Sequence, residues 1–242
     1  MEKTALVTGS TNNVGKGIAE ALSREGYTVV ITSRHENEAM AVAESFNPPG
    51  GYYQVDFSDP AQIEGLFSYI RRIYGRLDVL VNDVAHTENE SIMDCTLETW
   101  DYTLNTNLRS YFLCTKYAAQ IMKDQGGGNI VNITISRNRG AKDKFSYVVS
   151  KGGVNALTMC AQIDLAPFNI RVNAVGIGPT GSPVGQKENP ERTRVHESPY
   201  IPARRIGYPQ DIANAVTFLI SEKGSYIYGA FLAVDGGGNI SR

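Results

Sequence analysis

The run Thr4-Ala-Leu-Val-Thr8, the turn Gly9-Ser-Thr-Asn-Asn-Val-Gly15-Lys-Gly17 and the second run Thr28-Val-Val-Ile-Thr32 decide the fold. The first run is short, apolar and closed by a glycine, as expected of a strand buried on both faces in a parallel sheet. Beyond the turn, Ile18, Ala19, Ala21 and Leu22 fall at helical spacing, and Gly26 ends that segment before the next apolar run. Strand, glycine-rich turn, helix and strand make a βαβ unit. Such a turn lets backbone N–H groups approach a phosphate while the helix dipole favours the anion. Because Gly9, Gly15 and Gly17 do not form Gly-x-Gly-x-x-Gly, the spacing alone fits an unliganded strand-to-helix turn equally well.

Downstream, the strand-helix alternation continues. Strand Tyr52-Tyr-Gln-Val55 ends at Asp56, a helix runs from Pro60 to about Tyr74, and strand Asp78-Val-Leu-Val81 ends at Asn82. A long helix is predicted from Leu97 to Met122 and a fifth strand up to Thr134. A helix carrying Tyr147 follows, ended by Pro167, and then strand Ile170–Val175. The last cycle is a helix from Pro209 to Ile220 and a strand from Ala230 to Val234. The alternation predicts an α/β fold with a doubly wound parallel sheet, and the length suits one large domain as well as two small ones, with no composition break to separate two.

Ligands of open α/β sheets lie at the strand C-termini. After the second strand stand Ser33 and Arg34, where NAD-binding folds usually carry an acidic residue. A guanidinium there suits a 2′-phosphate through paired N–H donors, which points to NADP(H) as cofactor, although a solvated strand-end arginine would look the same. Asp56 and Asn82 occupy equivalent strand ends and are candidates for adenine or ribose contacts, or for capping the next segment. Tyr147 and Lys151 lie four apart, on one face of a helix. A fixed cation beside a phenol lowers its pKa and fits it for proton exchange, but a Tyr-x-x-x-Lys spacing also describes a plain surface pair.

Composition limits the alternatives. The 242 residues carry 42% hydrophobic and 20% charged content, enough for a full core, and a net charge of -2 with interspersed signs. That balance offers no footprint for nucleic acid or anionic membrane, and no window approaches the ~18 apolar residues of a span. A cytoplasmic protein is expected. Cys95, Cys114 and Cys160 are far apart, so neither a disulfide framework nor a metal site is expected, and all three are read as buried small residues.

Thr8-Gly9 with Gly15, the strand end at Asn82, Asn107, Tyr147 with Lys151, Asn173 followed by Gly178-Pro-Thr180, and Val234-Asp-Gly-Gly237 occur together in order. In that order and spacing the chain resembles the short-chain dehydrogenase/reductase family over nearly its whole length. The resemblance implies one Rossmann-like domain over residues 1–242, with a seven-stranded parallel sheet and helices on both faces, and a ketone reductase in which Tyr147 passes a proton to the carbonyl oxygen as hydride reaches the carbon. Lys151 would lower the Tyr147 pKa and hold the nicotinamide ribose, and Asn107 would carry a water. A hydroxyl, Thr134 or Ser136, would orient the substrate oxygen. The cofactor contacts it implies are Gly9, Thr11, Asn12, Asn13, Val14 and Gly15 in the first turn, then Ser33, Arg34, Asp56 and Phe57. Asn82, Asp83, Val84, Tyr147, Lys151, Gly178 and Thr180 complete the set. It also implies a homo-oligomer, tetramer or dimer, formed through the long helices and the C-terminal strand with Tyr226, Tyr228 and Phe231.

The chain departs from the family at several of these points. Asn13 replaces a glycine, Asp83-Val84-Ala85 replaces Asn-Ala-Gly, Ile177-Gly178 replaces Pro-Gly, and Ile135 falls where the catalytic serine is expected. Ser136 takes that role if the strand carries a one-residue bulge, and Thr134 takes it if not. These departures keep open a nucleotide-binding regulatory or assembly protein with lost catalysis; retained Lys151 and Arg34 argue against the halohydrin-processing branch. Residues 181–205, with Arg192, Arg194, His196, Tyr200, Arg204 and Arg205, are expected to cover a small-molecule carbonyl or alcohol substrate, their basic character reading first as a solvated loop.

Overall fold

A computed structural model describes residues 2–136, 141–181 and 201–240. Seven parallel strands form one sheet in the order β3-β2-β1-β4-β5-β6-β7. They are β1 Thr4–Val7, β2 Thr28–Ser33, β3 Gly51–Gln54, β4 Val79–Asn82, β5 Gly128–Ile135, β6 Ile170–Ile177 and β7 Phe231–Val234. The order reverses between β1 and β4, which opens a crevice at their C-terminal ends, the usual ligand position in such sheets.

Side chains alternate between the two faces of each strand. Ala5 and Val7 point to one side with Ile31, Val81, Val131 and Val175, where helices α1 (Asn13–Arg24), α2 (Glu36–Glu44) and α7 (Pro209–Ile220) cover them. Leu6, Val30, Leu80, Ile130 and Val172 point to the other, packed by α3 (Pro60–Ile73), α5 (Ser110–Gln125) and α6 (Phe145–Leu165). With both faces covered, every residue of β1 and β4 is buried, which is why those runs are uniformly apolar rather than alternating. Gly17 belongs to this packing: a Cβ there would lie 2.5 Å from Pro209 Cβ, so its absence lets α1 and α7 approach closely.

Several expectations are corrected. Helix α2 lies between β2 and β3, a segment with no helical reading in the sequence; only Ala39, Val42 and Ala43 of it are buried, too weak a stripe to stand out. The long helix begins as α4 (Leu97–Leu104) and continues as α5 to Gln125, but Asn105–Arg109 between them forms a π-turn. Wide turns of this kind cluster at functional sites, and this one holds Asn107. The bulge required to bring Ser136 into the serine position is absent: β5 and β6 pair without interruption through Thr134↔Gly176 and Ile135↔Ile177. Of the cysteines, only Cys114 is buried; Cys95 is half-buried and Cys160 exposed, all three free.

A buried arginine secures the far end of the sheet. The Arg171 guanidinium donates to the carbonyls of Leu219, Ser221 and Gly224, closing the C-terminus of α7. Arg171→Met should leave those carbonyls without partners and lower stability by about 2 kcal/mol, read from the urea midpoint.

Candidate active site

The crevice at the switch point is a cleft of about 560 Å³. Its floor is the β1–α1 turn, which side chains and backbone tie to the neighbouring strands. Gly9 N–H donates to Thr32 Oγ1 at 3.0 Å and Thr32 N–H to Ser10 Oγ at 3.0 Å. Thr8 Oγ1 accepts from the N–H groups of both Asp83 and Val84, at 2.9 and 3.1 Å, and so fixes the end of β4 against the end of β1. Gly9 at φ +68° and Asn13 at φ +41° are both left-handed, so Asn13 adopts the backbone conformation that its glycine counterpart in the family would take freely.

From this floor the cleft runs two ways. Toward β2 and β3 it is lined by Ser33, Arg34, Glu38, Asp56, Phe57 and Tyr102. Among the described residues the Arg34 guanidinium makes one hydrogen bond, 3.4 Å to Tyr102 Oη, and Ser33 Oγ donates to Glu38 at 3.1 Å. Toward β5 and α6 it is lined by Asp83, Val84, Ile133, Thr134, Tyr147 and Lys151. Thus the turn, Arg34 and the Tyr147–Lys151 pair, separated by over a hundred residues of sequence, open on one cleft.

Of the expected cofactor residues, Thr11, Asn12 and Val14 also line it, whereas four do not. Gly15 lies behind the wall, where a Cβ would come within 2.5 Å of Gly9 O. Asn82 is spent inside the sheet, donating to Asn132 Oδ1 at 2.8 Å. Gly178 and Thr180 follow the lining residue Ile177, with Thr180 bridged to Gly207. Ser136 is buried at the end of β5 and, unlike Thr134, does not face the cleft among the described residues. Thr134 Oγ1 in turn donates to Lys151 O at 3.2 Å. Arg192, Arg194, His196 and Tyr200 lie outside the described residues.

The electrostatics of the catalytic pair differ from the expectation. Lys151 Nζ donates to Tyr111 Oη and Ile133 O, both at 2.9 Å, and sits over the Tyr111 ring. Its charge is engaged by neutral oxygens, and burial pulls its pKa down, with Asp83 opposing. The Tyr147 phenol is not lowered but pushed up to about 12, by burial first and the Asp83 carboxyl second. Desolvation of a phenolate outweighs a cation that points elsewhere.

Asn107 is fully buried with its amide engaged: Oδ1 accepts from His86 N–H at 2.6 Å, and Nδ2 donates to His86 O and Ser150 Oγ. The side chain therefore braces the segment after β4 against α6 and has both its amide protons committed. Two further positioning groups escaped the sequence reading. Buried Glu90 accepts from the N–H and Oγ of Ser146 through Oε1 and caps α6 one residue before Tyr147. Tyr111, fully buried on α5, receives Lys151. Neither carries a local motif, since each acts across tens of residues of sequence.

The family model described as Enoyl-(Acyl carrier protein) reductase matches residues 9–239. The chain belongs to the short-chain dehydrogenase/reductase family. It is an oxidoreductase fold, and members of the family use NAD(P)(H). Among curated relatives, the 3-oxoacyl-(acyl-carrier-protein) reductase FabG of Thermotoga maritima is 34% identical over 97% of this chain and 97% of its own. An NAD-dependent glycerol dehydrogenase of Listeria innocua is 33% identical over 98% and 93%. Among solved structures, acetoin dehydrogenase from Enterobacter cloacae superposes with a TM-score of 0.91 at 30% identity, covering 100% of this chain and 97% of that one. ElxO with NADP bound gives 0.89 at 30%, covering 98% and 99%.

The cleft residues fit a dinucleotide. The left-handed Gly9–Asn13 turn feeds a 12-residue helix whose N-cap, Asn12, supplies no side-chain cap, and a lightly held guanidinium stands at the β2 end. No group of three or more His, Cys, Asp or Glu suited to a metal ion occurs among the described residues, and no helix there is long and apolar enough to cross a membrane.

Proposed function

We propose that the protein is an NADP(H)-dependent carbonyl reductase acting on a small ketone, with Tyr147 as proton donor. One observation carries this reading: Tyr147 and Lys151 open on the same cleft as the Gly9–Val14 turn and Arg34. The bound nucleotide would supply the hydride. Tyr147, with its pKa raised to about 12, keeps its proton at neutral pH and can give it to a carbonyl oxygen in the cleft. Thr134, a hydroxyl residue of the cleft wall on the same side as Tyr147 and Lys151, would orient that oxygen, and Lys151 would turn from Tyr111 toward the ribose. Arg34 would take the 2′-phosphate. The exposed Tyr226, Tyr228 and Phe231 near β7 and Met159 and Ile163 on α6 support a homo-oligomer.

The test is consumption of NADPH against a panel of small ketones and diketones, with nucleotide binding measured in parallel. Turnover supports the proposal; binding without turnover on any carbonyl would favour the second reading, a nucleotide-binding regulatory protein, for which the engagement of Lys151 with Tyr111 and Ile133 speaks. For cofactor choice, Arg34→Ala should weaken NADPH about tenfold to a hundredfold and leave NADH nearly unchanged. Equal losses for both nucleotides would remove Arg34 as the phosphate reader.

A further inference from the structure

Asp83 is the feature of the cleft that a polyanionic ligand would find hardest to accept. It is half-buried at the end of β4, enclosed by protein except where it opens on the cleft. Its Oδ2 lies 2.8 Å from where a Gly15 Cβ would be, so the carboxyl sits against the first turn of α1. That is where the N-terminal amides and the helix dipole create the electropositive end suited to a phosphate.

The groups facing this carboxyl come from three elements. Tyr147 and Lys151 face it from α6, and Tyr111 faces it from α5. From the first turn of α1 the neighbour is Gly15, which does not titrate. Lys151 is the one cation of this set. It already serves two neutral oxygens, so a pyrophosphate entering beside an ionised Asp83 would meet a like charge with a single shared counterion.

We propose that Asp83 couples dinucleotide binding to the uptake of one proton: the carboxyl must be neutral for the pyrophosphate to occupy the N-terminal end of α1. The proposal rests on the reading of this cleft as the dinucleotide site. Burial raises the Asp83 pKa well above the usual carboxylate range against the lowering effects of Lys151 and the Gly15 amide, so this carboxyl takes up a proton far more readily than an exposed one. A neutral Asp83 can also donate a hydrogen bond to a phosphate oxygen, which an asparagine in its place would do at every pH.

The consequence is quantitative. As the pH rises past the Asp83 pKa, the affinity for the nucleotide should fall by up to about tenfold per pH unit, and binding should absorb close to one proton. The experiment is calorimetric titration of the full-length protein with NADH and with NADPH between pH 7 and 9, in buffers of different ionisation enthalpy. This window lies above the titration of the 2′-phosphate, near pH 6 for phosphate monoesters. The same titrations are run on Asp83→Asn and on Tyr147→Phe.

The expected result is proton uptake in the wild type and in Tyr147→Phe. Asp83→Asn should show no uptake, pH-independent affinity and about tenfold tighter binding at pH 8. A wild type that binds with no proton uptake overturns the coupling while leaving the dinucleotide site standing. Uptake that persists in Asp83→Asn assigns the proton to Lys151 and also overturns it. A wild type that binds neither nucleotide, with Asp83→Asn equally inert, overturns both the coupling and the site.

Discussion

Replacing Tyr147 with phenylalanine is expected to lower turnover by about a thousandfold while leaving nucleotide affinity within a factor of two. The substitution removes only the phenolic oxygen. The ring, its place on α6 and the Glu90 cap on Ser146 stay as they are. Stopped turnover with intact binding separates proton transfer from cofactor positioning; unchanged turnover would remove Tyr147 from the mechanism. The pH profile carries the same information with a defined sign. Because burial, the largest cause, keeps the phenol raised even when Asp83 is neutral, it remains protonated across the neutral range, and at saturating nucleotide carbonyl reduction should not decline there through loss of this proton. Alcohol oxidation needs the phenolate and should rise by up to about tenfold per pH unit toward the alkaline limit. A plateau in the oxidation rate near pH 8 would show that Lys151 has turned to the phenol and lowered it.

Gly15→Ala should remove dinucleotide binding and destabilise the fold by about 3 kcal/mol, the upper range for overpacking. Its Cβ would stand 2.5 Å from Gly9 O and 2.8 Å from Asp83 Oδ2. The first contact is with backbone, so no side-chain rotamer relieves it, and relief requires the β1–α1 turn to open. Gly152→Ala on α6 is the matched comparison. Nothing lies within 4 Å of a Cβ there, so helix propensity alone should make that change neutral or slightly stabilising. Urea midpoints and NADPH titrations of the two variants check both statements. Equal behaviour of Gly15→Ala and the wild type would mean that the turn is more pliant than its packing indicates.

The doubly wound sheet was legible in the sequence because buried parallel strands must be short and uniformly apolar, and a turn into a helix needs glycine or asparagine at left-handed positions. Gly9, Asn13, Arg34, Tyr147 and Lys151 stood out for the same reason: each follows from spacing along one strand, turn or helix. Helix α2 was missed because its apolar stripe is only three residues wide, and the π-turn at Asn105–Arg109 because nothing in a linear pattern distinguishes it from α-helix. The protonation state of Tyr147 was misjudged for a deeper reason. Residues four apart on a helix share a face, but whether Lys151 turns to Tyr147 or to Tyr111 and Ile133 depends on α5 and β5, which arrive from elsewhere in the chain.

The sequence by itself determined the strands, the first turn and the family. The tertiary structure alone decided which charges meet: Asp83 against Gly15 and Lys151, Glu90 at the start of α6, and the amide of Asn107 locked between His86 and Ser150. Secondary structure follows from interactions a few residues apart. Burial, and with it the raised pKa of Tyr147 and the lowered pKa of Lys151, follows from contacts between segments that only the completed sheet brings together.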